Sequence, residues 1–158
     1  MKMYDKWSLD VLYTGFDDPK FQNEFNQLDE FVERFKKTVE TLSEKDARTA
    51  TKEALTLVEE YQEAISRLAH YCSLRQSANT NDGESVSYLG RIIQKDTETT
   101  PYATALEKYL SNLPDLDAVI GDDEMLQDYS YYLHEMQKSA KYLLSEDVET
   151  ALGMMDMS

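Results

Sequence analysis

The chain has little to cross-link, kink or loosen it: one cysteine, three prolines and five glycines in 158 residues. The single thiol, Cys72, excludes any disulfide within the chain. It follows Leu68 on an apolar helical stripe, which marks it as a buried structural thiol rather than a reactive one. With glycine and proline scarce, long stretches consist of Glu, Leu, Ala, Lys and Gln, all good helix formers. No apolar run approaches the ~20 residues that span a bilayer, and Met1 to Trp7 is too polar for a signal segment. A cytoplasmic protein is expected.

Positive charge is also short. Sixteen Lys and Arg stand against 31 Asp and Glu, a formal net charge of −15. From Tyr109 to Ser158 only Lys138 and Lys141 oppose eleven acids, so this third carries −9. Such a surface repels phosphate backbones and anionic lipid, which argues against nucleic acid and membrane as partners. Its plain consequence is solubility; the functional alternative is a field that draws in basic peptides.

Recognisable catalytic motifs are missing. The two histidines, His70 and His134, are far apart in sequence, and neither opens a His-Glu-x-x-His pair on one helical face. Glu-x-x-His is absent too, since Arg67 and Tyr131 stand three residues before the histidines. Each reads as a flanking or hydrogen-bonded histidine. No phosphate loop and no G-x-S-x-G occurs. Nothing local supports a Cys72–His134 nucleophile pair. The acidic pairs Glu59-Glu60 and Asp122-Asp123 are ordinary on solvated helices. No catalytic, cofactor-binding or metal residue is assigned in this chain.

What is present is helical periodicity. The length suits one domain, and 41% hydrophobic residues can build a core. Asp18-Pro19 is a helix start. Phe21, Phe25, Leu28, Val32, Phe35, Val39 and Leu42 follow at alternating spacings of four and three, predicting a helix from Pro19 to about Leu42. Ser43-Glu44-Lys45-Asp46 reads as a turn with an S-x-x-D capping pattern. A second stripe, Ala54, Val58, Tyr61, Ile65, Leu68 and Cys72, predicts a helix to about Asn79, with Glu59, Glu63 and Arg67 supporting another face. The short link predicts an antiparallel hairpin.

Thr80 to Gly83 offers caps for a third helix, with Val86, Leu89 and Ile93 as its stripe and Ile92 flanking. Pro101 either kinks that helix or starts a new one capped by Thr100. Leu116, Val119 and Ile120 predict a short helical turn ended by Gly121. Met125, Tyr129, Tyr132, Leu133 and Met136 form the face of a segment from about Asp123 to Lys141. Ser145 opens a further helix, and the uncapped apolar tail ending at Ser158 predicts a longer natural polypeptide. The whole reads as an all-α antiparallel bundle built on a long helical hairpin, with a Pro-kinked or split third helix, in one domain over 1–158.

Tyr129, Tyr131 and Tyr132, with Tyr142 beyond them, cannot all face one core, because adjacent helical residues lie ~100° apart. They are the candidate interface residues, for another domain or a peptide.

Three stretches carry a family resemblance. Trp7-Ser8-Leu9-Asp10-Val11-Leu12-Tyr13, with Phe16-Asp17-Asp18-Pro19-Lys20-Phe21, resembles the opening signature of the oligoendopeptidase F family of zinc metallopeptidases. Tyr71 to Thr80 is similar to that family's Y-x-S-L-R-x-x-x-x-T stretch. Leu126, Tyr129, Tyr132-Leu133 and Leu144-Ser145-Glu146 match its L-x-x-Y-x-x-Y-L…LSE pattern. The resemblance implies an N-terminal helical domain that walls a channel admitting short peptides. It also implies a downstream catalytic domain as partner, with zinc on a His-Glu-x-x-His helix. None of those zinc residues has a counterpart here, so the segment alone is expected to lack cofactor and activity. Isolated, it is expected to self-associate. The alternative is a free-standing acidic helical interaction module.

Overall fold

A computed structural model describes residues 12–142. Trp7 to Val11 of the opening signature, the helix start at Ser145 and the apolar tail lie outside the described residues. Among the described residues there is no strand: the fold is all-α.

Helix α1 spans Pro19–Glu40. The Asp18 carboxylate accepts hydrogen bonds from the N–H groups of Lys20 (3.0 Å) and Thr14 (2.9 Å), and Pro19 occupies the first turn. Phe21, Leu28 and Phe35 are buried as the stripe predicts, and Phe31 widens the buried face. Each such side chain contributes roughly 1.5–3 kcal/mol of transfer free energy. A 3-10 turn, Leu42–Glu44, follows. It absorbs Ser43, so the S-x-x-D pattern does not act as a capping box. Asp46 is the cap instead, accepting from the Thr49 N–H at 3.1 Å.

Helix α2, Ala47–Ala78, returns along α1. Its antiparallel register is fixed by pairs whose numbers run in opposite senses: Phe21 against Tyr71, Glu24 against Arg67, Phe31 against Tyr61, Arg34 against Glu60. Cys72 is fully buried, and burial first, with Asp82 nearby, pushes its thiol up to about 11. Helix α3, Gly83–Ser111, starts on the Asp82 cap and runs back along α2. Arg75 meets Asp82 at 3.0 Å, and the Tyr61 hydroxyl donates to Asp96 at 2.5 Å.

Pro101 neither ends nor starts a helix: α3 is continuous through it. Thr97, Thr99 and Thr100 each donate a hydroxyl proton to the carbonyl four residues back, on Ile93, Lys95 and Asp96. Thr100 is therefore a mid-helix residue and not a cap. The expected core stripe of α3 is also wrong in phase. Val86 and Ile93 are 51% and 57% exposed, whereas Ile92, Ser85 and Thr99 are buried. Small polar residues occupy the core positions here because α3 packs on both α1 and α2. Ser85 and Thr99 satisfy their hydroxyls locally on the carbonyls of Asp82 and Lys95, so burying them costs little.

Short helix α4, Leu116–Ile120, ends at Gly121, whose φ is +49°. Helix α5, Glu124–Asp128, is capped by Asp123, and α6 covers 130–142 of the described residues. The single segment expected from Asp123 to Lys141 is thus two helices, with a turn at Tyr129. The core residues of this region are Leu126 and Leu133, both essentially inaccessible; Leu126 escaped the sequence reading because Met125 and Tyr129 suggested another phase.

Candidate functional site: a tyrosine-walled groove on α2

Helix α2 positions the later elements through its polar side chains. Arg48 donates from Nε to the Val119 carbonyl at 2.9 Å and reaches the Ala118 carbonyl at 3.3 Å, satisfying the open end of α4. A Cβ at Gly121 would lie 2.4 Å from this guanidinium, so glycine is required there for space as well as for backbone angle. One turn on, Lys52 Nζ lies 2.8 Å from Asp123, the cap of α5. Asp123 also accepts from the Leu126 N–H. Together these contacts deliver Tyr129 to the flank of α2, where its hydroxyl donates to Glu59.

The result is a groove of about 630 Å³. One wall is α2, with Leu55 and Val58 at the floor and Glu59, Gln62 and Glu63 along the rim; the other is Tyr129 and Tyr132. The two rings meet edge to face, 6.5 Å between centroids. Arg67 closes one end, held by Glu24 at 3.0 Å, and Glu24 also accepts from the Tyr13 hydroxyl. The hydrogen bond to Glu59, then burial, pushes the Tyr129 phenol up to about 12. Burial first, then Glu107, raises that of Tyr132. Both remain neutral phenols in the ordinary pH range. The groove therefore offers ring faces, phenol hydroxyls and two carboxylates: chemistry for contact, with no nucleophile.

Tyr132 divides this groove from a second one of about 520 Å³, lined by Thr104, Glu107 and Lys108 of α3 and by Met136 of α6. Gln137 ties the two helices by donating to the carbonyls of Leu110 and Leu113. The structure thus brings two of the four candidate interface tyrosines together. Tyr131 and Tyr142, 79% and 68% exposed, line neither groove. Missing from the sequence reading were Glu59 as a tyrosine partner and Arg48 and Lys52 as anchors, since contacts some 70 residues apart leave no local pattern.

His134 sits on the exposed side of α6. Its Nδ1 lies 2.7 Å from the Ser130 carbonyl and its Nε2 2.9 Å from Asp117. Both neighbours are acceptors, and these hydrogen bonds, the Ser130 one foremost, raise the imidazole above its ordinary value. His70 is exposed on α2. Among the described residues no group of three or more His, Cys, Asp or Glu is arranged to hold a metal ion. No described helix is long and apolar enough to cross a membrane.

Comparison with known proteins gives one match, to the N-terminal family model of the M3 peptidases, described as oligopeptidase F, over residues 112–158. Neither the curated proteins nor the solved structures provide a match. The matched stretch begins at the end of α3 and takes in α4, α5 and both groove tyrosines. Residues 112–158 therefore belong to the oligopeptidase F N-terminal domain family.

Proposed function

We propose that this chain is the substrate-confining helical domain of an oligopeptidase F-like zinc peptidase acting on short peptides. The observation that carries the reading is the family match over the segment that builds the tyrosine wall. The groove supports it: aromatic faces with a polar tip suit a surface that meets another domain or a peptide. The described residues do not fit a zinc site, so metal and hydrolysis are assigned to a downstream catalytic domain, and none to this chain. The partner would be that domain, and the compartment the cytoplasm, where a buried, unpaired Cys72 is stable as a thiol.

The test compares this chain with the polypeptide encoded onward from Ser158. The longer product should bind zinc and cleave a quenched library of short peptides, while this chain alone does neither. In the longer product, Tyr132→Ala should alter the length of peptide accepted. A reading frame that stops at Ser158 with no His-Glu-x-x-His beyond it would sink the proposal, as would cleavage by this chain alone.

A further inference from the structure

Helix α3 carries two faces with bundle-like spacing. One packs on α1 and α2. The other runs through Val86, Gly90, Ile93, Thr97, Thr100 and Thr104, spaced 4, 3, 4, 3 and 4, and every one of these is exposed. That is the spacing of a helix-pairing seam, the same as in the core stripes of α1 and α2.

Three observations say what kind of partner it fits. In a chain that is 30% charged, this stripe carries no charge at all. Thr97 and Thr100 direct their hydroxyl protons back to the carbonyls of Ile93 and Asp96, so covering them would strand no donor. At Gly90 a Cβ would meet nothing within 4 Å, so no packing inside the molecule demands glycine there. Glycine is a poor helix former, and at an exposed mid-helix position its use is to let another backbone come close.

We infer that this face pairs α3 with α3 of a second copy of the chain, antiparallel about a two-fold axis beside Gly90. The register follows from the sequence. An axis midway between Leu89 and Gly90 sets Val86 of one copy against Ile93 of the other, and the reverse, so the same patch serves both sides. Charge favours this face over the rest of the surface. Two molecules of net charge −15 repel wherever acids meet, and an uncharged stripe lets them approach with the least repulsion. One helix pair falls short of the ~1,200 Å² of a stable interface, so the dimer is weak and strengthens as salt screens the remaining repulsion. The inference does not rest on the proposed peptidase role.

Sedimentation equilibrium of the full 158-residue chain tests it. At about 0.5 mM protein the dimer fraction should rise at least threefold between about 0.05 and 0.5 M NaCl. Ile93→Glu should return the chain to monomer at both salt concentrations, with helicity and melting temperature unchanged. Chain carrying Val86→Cys mixed with chain carrying Ile93→Cys should form the mixed disulfide in excess over either homodimer, Cys72 being buried and silent. A monomer at high salt, a dimer unaffected by Ile93→Glu, or cross-linking with no preference for the mixed pair would each overturn the inference.

Discussion

Tyr129 shows how one contact can define a wall. Its ring lines the groove, and its hydroxyl is committed to Glu59 of a distant helix. That carboxylate is the first cause of the raised phenol, so Glu59→Gln should bring Tyr129 back from about 12 toward the ordinary tyrosine value near ~10. Ring-labelled NMR through an alkaline titration reads this directly. A Tyr129 resonance that titrates identically in both proteins would show that the hydrogen bond is not the cause. Cys72 was legible in advance because burial of a small apolar residue depends only on the helical period. Glu59 was not, because the same period leaves it on a solvated face and its partner arrives from the other end of the chain.

Helix starts were the most legible elements. Asp18 and Asp82 cap through bonds spanning two or three residues, which a sequence displays in full. The phase of α3 was not legible, since apolar Val86 and Ile93 face out while Ser85 and Thr99 face in. Close packing on two neighbours selects small side chains, and a reading by hydrophobicity then finds the wrong face. Pro101 is a second local conflict inside the same helix. It leaves the Thr97 carbonyl without its usual N–H donor, and it is exposed, so it has little packing to lose. Pro101→Ala should stabilise the chain by about 1–3 kcal/mol. Urea denaturation measures this; a loss of stability would mean that the bend at Pro101 is needed for packing.

For the whole molecule, pH acts through a few groups of known sign. Asp18, Asp46 and Asp123 have lowered values in the fold: Asp18 through N–H groups of Thr14 and Lys20, Asp46 through Thr49, Asp123 through Lys52 and then Leu126. The unfolded chain therefore binds more protons at acid pH. Their contribution is complete above the unfolded value near ~3.9 and is lost as pH falls through the lowered values. His134 works in reverse. Its folded value is raised, so its contribution is complete below ~6.5 and disappears as pH climbs through the raised value. Melting temperature should therefore level off between about pH 4.5 and 6.5, and His134→Gln should remove the alkaline step while leaving the acid one. An alkaline step unchanged in that variant would assign it to another group.

Helix α2 contacts α1 and α3 on one side and the region from Val119 to Tyr129 on the other. Helices α4 and α5 have five residues each, well short of the ~12 at which an isolated helix becomes marginal. They acquire their shape from Arg48, Lys52 and Glu59, side chains the ribosome has released some 70 residues earlier. Synthesis thus delivers the template before the parts it moulds. Pulse-labelled hydrogen exchange should find amides of α2 protected before those of α4 and α5, and simultaneous protection would refute this order. On that timetable the groove is the last feature of the domain to exist during its birth, and the first to vanish when the chain begins to open.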